Sequence, residues 1–473
     1  MFYAKGFENL DHEVSRVALN TSSGEVPSWL HGTLLRNGPG RFNLGSDDYR
    51  HWFDGLAMLH GFYFRDGQVH YSNRFLRTPA YTDGMAHNKI CYSAFATVPN
   101  YTWWQALIAW FRQPESGANN GVSIARLGDD YLALTESADL VTFDADSLHT
   151  RDVVEFDDAV SGEITSAHPH YDYAAGQLIN FNVKLGRRPE YLYFRCSKNV
   201  RERELIGRIP VDKPSYTHSF ALTEKYIVHV DFPLVVNSLR LRFGNVPYIN
   251  CYRWQPERGT RFTVLAKAGG NIVKQFHADA CFAFHHVNAY EQGNAVIVDM
   301  AAKPDASVVD DLYLQHLRTC QGRPIRQPST LRRYQLPLNG GDIREEEICD
   351  EYLEMPTINY RRHNARDYRF VYGIGSYQGM RNDFENQLIK IDTVSGRRKI
   401  WYQENCYPWE PVFVPHPGSD NEDHGILLSV VLDGAADSSF LLLLNAEDLQ
   451  ELARLPLPHP VPLGFHGQYF SQV

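Results

Sequence analysis

Six polar residues, His168, His218, His285, Glu354, Glu410 and His466, each stand at the start of an apolar strand, and the steps between them are 50, 67, 69, 56 and 56 residues. A four-stranded sheet with its loops uses about 40 to 50 residues, so this advance marks radially repeated sheets whose inner strands begin near one axis. The surrounding pattern agrees: short apolar segments rich in Val, Ile, Tyr and Phe are broken by Gly, Pro, Asp and Asn. That is an all-β signature. A strand, a turn carrying Asp, Asn or Gly and a second strand recur over residues 140–156, 389–401 and 441–455, each reading as the outer hairpin of a blade.

The six starts and a further module at about 120–157 predict a seven-bladed β-propeller, with the whole chain, 1–473, read as a single domain. Residues Gly32–Arg77 are expected to pair with the chain end after His466, closing the ring and removing an exposed sheet edge. A pair of β-sandwiches also fits the strand pattern but would not bring the six starts together. One stretch, residues 101–112, reads instead as a short helix dense in Trp, Tyr and Phe. It is either a cap on the propeller or, through residues 103–111, a peripheral membrane contact. Leu239, Leu241 and Phe243, alternating with Arg240 and Arg242, supply a second half for such a patch over 239–243.

Composition removes whole classes of partner. With 46 basic against 56 acidic residues the net charge is −10, which disfavours nucleic acid and any broad attraction to anionic lipid. No apolar run approaches the roughly 18 residues of a membrane span. The seven cysteines are scattered and odd in number, which fits a reducing compartment. Without a secretory signal at the start, the expected location is the cytoplasm, with peripheral membrane contact as an addition.

Among the 20 histidines, four share the phase of the repeat: His168, His218, His285 and His466. Four imidazoles aimed at one axis point to a metal. Neutral imidazole suits zinc, copper, iron and nickel, so ligand type alone does not name the ion. A closed four-ligand zinc site is structural, whereas iron(II) prefers six positions and four histidines leave two open for chemistry. Metal-bound histidines usually donate their other ring N–H to a carboxylate. Glu354 and Glu410 hold the same phase in blades without a ligating histidine, and Glu136 ends a strand of the first full blade. His170 with Asp172 and His277 with Asp279 match a His-x-Asp core, but about two such matches are expected by chance and they are set aside. No Gly-x-Ser-x-Gly, Walker-type loop or His-Glu-x-x-His motif is present.

The ordered motifs Gly32-Thr-Leu-Leu-Arg-Asn-Gly-Pro-Gly40, His51-Trp-Phe-Asp-Gly55, Ala167-His-Pro169, Pro214-Ser-Tyr-Thr-His-Ser-Phe220, Phe284-His-His-Val-Asn288, Glu354-Met-Pro-Thr-Ile-Asn359, Tyr407-Pro-Trp-Glu-Pro411 and Gly464-Phe-His-Gly467 together resemble the carotenoid cleavage oxygenase family over nearly the whole chain. The resemblance implies a seven-bladed propeller under a dome of helices and loops. It also implies Fe(2+) on the four histidines, with Glu136, Glu354 and Glu410 behind them. The implied activity is addition of dioxygen across one double bond of a carotenoid or apocarotenoid, giving aldehydes of the apocarotenal or retinal type. Phe95, Tyr101, Trp103, Trp104 and Tyr248 are expected to line the apolar tunnel for the polyene. The same scaffold also serves stilbene cleavage and retinoid isomerisation. Stilbene-cleaving members resemble one another in a lysine just before the glutamate matching Glu136, and Thr135 stands there in this chain. From the residues alone, two other readings compete: a non-catalytic binding propeller, and a glycosidase using Glu354 and Glu410.

Overall fold

The computed structural model describes residues 1–100, 116–197, 199–243, 246–319, 323–377 and 382–471. Its strands form seven antiparallel sheets of four to six strands, besides two small two-stranded ones, arranged as the blades of a β-propeller. Blade 1 runs inward through Val14–Leu19, Gln68–Phe75, Leu56–Arg65, Gly32–Arg41 and finally Gly467–Phe470. Blades 2 to 6 follow in chain order, with inner strands Ser123–Leu127, the pair Ile164–Thr165 and His170–Asp172, Ala221–Leu222, His286–Gln292 and Glu354–Thr357. In blade 7 the segments Cys406–Pro408 and Val412–Pro415 are innermost, and Ser23–Gly24 adds the outer edge. The three hairpins read from sequence fall in the outer halves of blades 2, 6 and 7.

The two ends of the chain meet in blade 1, where Thr33 pairs with Phe470 and Arg36 with Gly467. A second, polar tie reinforces this seam. The Arg36 side chain is fully buried; its Nη1 donates to the Glu410 carbonyl at 2.7 Å and its Nη2 to the Phe465 carbonyl at 2.9 Å. Burial lowers the Arg36 pKa to about 10, still far above neutral, and the nearby Glu410 charge opposes that fall. Gly38 and Gly464 permit the close approach: a Cβ on Gly38 would stand 2.6 Å from the Gly464 Cα, and one on Gly464 would stand 2.6 Å from the Trp409 ring.

The strands are apolar because most are covered on both faces. Leu441, Leu442, Leu443 and Leu444 are all fully buried in the third strand of blade 7. Each such side chain stabilises the fold by about 1.5–3 kcal/mol. The uneven steps of the repeat also have a structural cause. In blades 4 and 5 the chain leaves the sheet between its second and third strands, over 232–259 and 303–329, and these excursions make the 67- and 69-residue steps. Both excursions come together above the inner strands with segments that follow blade 1 strands. The Ile249 amide donates to the Phe95 carbonyl, the Trp52 amide to the Leu312 carbonyl, and the Leu314 amide to the Arg50 carbonyl. His51 Nε2 lies 3.0 Å from the Val309 carbonyl, pinning the same layer from its side chain.

Several expectations on the surface fall differently. Residues 103–111, with Tyr101, Trp103 and Trp104, lie outside the described residues. The expected second half of the patch, 239–243, lies on the helix Ser238–Phe243, where Leu239 is exposed while Leu241 packs against the core. Among the described residues no helix is long and apolar enough to cross a membrane. The six described cysteines are free thiols.

Replacing Arg36 by Ala strips two buried carbonyls of their donors and leaves a cavity at the seam. The expected loss is about 2–4 kcal/mol, read as a lower urea midpoint at unchanged slope. A midpoint equal to that of the parent protein contradicts the role of Arg36 in closing the ring.

Candidate metal centre

His168, His218, His285 and His466 each sit one to three residues before an inner strand, so their side chains leave the sheets where the blades converge. One nitrogen from each lies within 4.8 Å of the other three. The Nε2 atoms of His168 and His218 are 2.9 Å apart, and those of His285 and His466 are 3.2 Å apart. An ion about 2.1 Å from each imidazole nitrogen sets adjacent nitrogens about 3 Å apart and opposite ones about 4 Å apart. The observed spread fits that requirement.

The hydrogen bonds behind the rings decide what the inner nitrogens are. His218 Nδ1 donates to Glu136 Oε1 at 2.5 Å, His285 Nδ1 to Glu354 Oε2 at 2.7 Å, and His466 Nδ1 to Glu410 Oε1 at 2.7 Å. A neutral ring that gives its proton at Nδ1 carries a bare lone pair at Nε2. Lone pairs brought to about 3 Å from one another repel unless a cation lies between them. The donor set therefore fits a divalent metal, with three rings held in the ligating tautomer by carboxylates. Among the described residues no carboxylate bonds the fourth ring, His168.

Each glutamate is itself held. Tyr216 Oη donates to Glu136 Oε1 at 2.7 Å, and the Gly467 amide donates to Glu410 Oε2 at 2.9 Å. Lys303 Nζ lies 3.0 Å from Glu354 Oε1, while the Met355 amide donates to Glu354 Oε2 at 3.1 Å. Met355 has φ +45°, a left-handed conformation at a bulge between Glu354 and Thr357 that turns the glutamate toward the axis. Burial works against the charged form of Glu354, yet Lys303 and His285 outweigh it and hold the carboxyl well below its ordinary range. Burial likewise opposes the charge on Glu410, and His466 and Arg36 reverse that effect.

One side of the centre is walled by aromatic rings. Phe53 lies over His218 with centroids 6.4 Å apart, Phe284 meets the same ring edge-on at 5.4 Å, and Phe465 packs on Phe53 at 5.3 Å. Phe95 continues the wall from Phe53 to Tyr216 and Tyr248. Two of the expected lining residues, Phe95 and Tyr248, thus meet each other and connect to His218 through Phe53 and Tyr216. Tyr101, Trp103 and Trp104 lie outside the described residues.

The two discarded His-x-Asp pairs have other partners. His170 Nε2 lies 2.9 Å from the Phe220 carbonyl and its Nδ1 2.9 Å from Tyr360 Oη, while Asp172 pairs with Lys267. His277 is exposed on the outer strand of blade 4. Sequence reasoning missed Arg36, Phe53, Tyr216 and Lys303 as parts of the centre. The first three lie inside motifs quoted above. Lys303 left one faint signal, a lone cation ending the apolar run Ala295–Ala302.

The family model for retinal pigment epithelial membrane protein matches residues 7–471. The chain belongs to this family, the carotenoid cleavage oxygenases, and is an enzyme. It is 33% identical to "Carotenoid isomerooxygenase" of Galleria mellonella, over 98% of this chain and 95% of that one. It is 32% identical to "Carotenoid-cleaving dioxygenase, mitochondrial" of Macaca fascicularis, over 94% and 90% of the two chains. A crystal structure of cobalt-substituted Synechocystis ACO superposes with a TM-score of 0.88 at 24% identity, covering 99% of this chain and 98% of that one, and so supports the fold.

Buried histidines make the metal-free protein sensitive to acid. Burial pushes His51, His60 and His286 down to about 3 and His285 to about 4. Unfolded, each takes up a proton near 6.5, so stability present above that pH is lost as pH falls toward these folded values. Asp54 and Glu385, raised by burial to about 6 and about 7, act in the opposite sense, and the histidines outnumber them. Urea midpoints of the metal-free protein are expected to fall steadily from pH 7 to pH 5. A flat or rising profile contradicts this balance.

Proposed function

We propose that this chain is an iron(II)-dependent dioxygenase that cleaves one double bond of a carotenoid or apocarotenoid to two carbonyl fragments, with aldehydes of the apocarotenal or retinal type as products. The observation that carries the reading is the convergence of four imidazole nitrogens, three with their lone pairs turned inward, beside a wall of phenylalanine and tyrosine rings. His168, His218, His285 and His466 would hold the ion, and Glu136, Glu354 and Glu410 would orient three of them. Iron(II) supplies open positions at which dioxygen is activated. The protein's own contribution is positioning: Phe53, Phe95, Phe284 and Phe465 exclude water and offer a flat polyene a flat, apolar surface. Which bond is cut then follows from the register in which the chain lies against this wall.

Relatives named as dioxygenases and as a carotenoid isomerooxygenase support the substrate class. Isomerisation without cleavage is the second reading, and the relative named "Carotenoid isomerooxygenase" supports isomerisation on this scaffold. Thr135, in place of a lysine before Glu136, speaks against a stilbene phenol. We place the enzyme as one domain in the cytoplasm, in peripheral contact with a membrane through residues 103–111 and 239–243. Leu239, exposed on its short helix, supports that contact.

Protein purified without oxygen and loaded with iron(II) is to be incubated with a panel of carotenoids and apocarotenals in air, and the products identified by mass spectrometry. The proposal predicts aldehyde pairs whose carbon counts sum to that of the substrate. Isomerised product with no aldehydes supports the second reading, and no product from any polyene contradicts both. His218→Ala is expected to abolish iron retention and activity together. Glu410→Gln is expected to lower iron affinity or turnover by about 10- to 100-fold. Behaviour like the parent protein in both measurements contradicts the role given to Glu410.

A further inference from the structure

Lys303 directly follows the second strand of blade 5, Ala295–Ala302, and is completely shielded from solvent. Its main chain is fixed on both sides: the Lys303 amide donates to the Phe282 carbonyl at 2.7 Å and the Phe282 amide donates back at 3.0 Å. Its ammonium lies 3.0 Å from Glu354 Oε1 and donates to Ser329 Oγ at 3.0 Å. Ser329 Oγ gives its own hydrogen to the Leu353 carbonyl at 2.5 Å, so the hydroxyl is free to accept from the lysine. On its remaining side the ammonium faces the Tyr352 ring, 5.2 Å from the centroid.

An ammonium in such a place costs several kcal/mol of desolvation unless a charge compensates it, and a methionine would fill the same volume without that cost. The compensating group is Glu354, whose other oxygen receives the His285 N–H. The other two glutamates are held differently. Glu136 is met by the neutral phenol of Tyr216, and Glu410 by the Gly467 amide, while Arg36 donates to the Glu410 main-chain carbonyl. Among the described residues, only Glu354 of the three has a side-chain cation within ion-pair distance.

We propose that Lys303 is a positioning residue for the metal centre, clamping one oxygen of Glu354 so that the other holds His285 aimed at the shared point. The inference rests on the metal reading of the preceding section. Lys303 acts through Glu354 alone and touches neither substrate nor metal. The consequence is that His285 is the ligand whose orientation depends on a buried ion pair rather than on neutral hydrogen bonds.

The test is titration of the metal-free, full-length protein with cobalt(II), followed by visible absorption, in a double-variant cycle. Lys303→Met is expected to weaken cobalt binding by about 10- to 100-fold, as is Glu354→Gln. The combined variant Lys303→Met, Glu354→Gln is expected to bind cobalt as Glu354→Gln does, because Lys303 has no route to the metal once Glu354 has lost its charge. Lys390→Met removes a different buried lysine, paired with Asp423 in blade 6, and is expected to lower stability while leaving cobalt affinity unchanged. Parent-like affinity in Lys303→Met, or a combined loss equal to the product of the two single losses, overturns the proposal. A combined variant that binds cobalt more weakly than Glu354→Gln also overturns it, and that comparison needs only those two proteins, so the proposal stays testable if Lys303→Met alone does not fold. A parent protein that takes up no cobalt overturns the metal reading itself, whereas uptake with multiplicative losses overturns the Lys303 role alone.

Discussion

Four imidazole nitrogens gathered at one point, three of them with lone pairs turned inward, form an arrangement that a cation stabilises. The fold has to impose it. Three carboxylates fix the tautomers from behind, and the ring of blades fixes where the imidazoles stand. The inner end of each blade is a natural place for this, because successive inner strands begin close to one another although their residues are far apart in the chain. Closure of the ring is part of the same device. His466 lies one residue before the strand that seals blade 1, and Arg36 of that blade ties down the carbonyls of Glu410 and Phe465. A fault in the seam would therefore be felt first at the converging histidines.

Burial is used unevenly around the centre. On the blade side it is occupied by charges and hydrogen bonds, with Glu136, Glu354 and Glu410 each given partners. On the other side it is aromatic, with Phe53, Phe284 and Phe465 in contact around His218. The polar half fixes ligands with low tolerance for movement. The apolar half carries few hydrogen bonds and suits a flat hydrocarbon.

Much of this was legible in the sequence because the repeat has one phase. The polar starts marked the inner ends of the blades, and the glutamates at Glu354 and Glu410 stood out by occupying the same phase as the histidines. The insertions did not mask the repeat; they lengthened two steps without shifting it. Phe53 and Lys303 were less visible for a physical reason. Both reach the centre from positions outside the phase, Phe53 from the short helix that follows a blade 1 strand and Lys303 from the end of a second strand, which antiparallel pairing brings beside His285. Nothing local separates a buried catalytic-side lysine from an ordinary strand-end cation until its carboxylate partner is placed.

The central claim is that a single iron(II) is held by these four imidazoles and by no protein carboxylate. X-ray absorption at the iron edge of the oxygen-free, iron-loaded protein tests it most directly. The account predicts about four nitrogen scatterers near 2.1 Å with the multiple-scattering signature of imidazole rings. A shell with one or two imidazoles and directly bound carboxylate oxygens contradicts it.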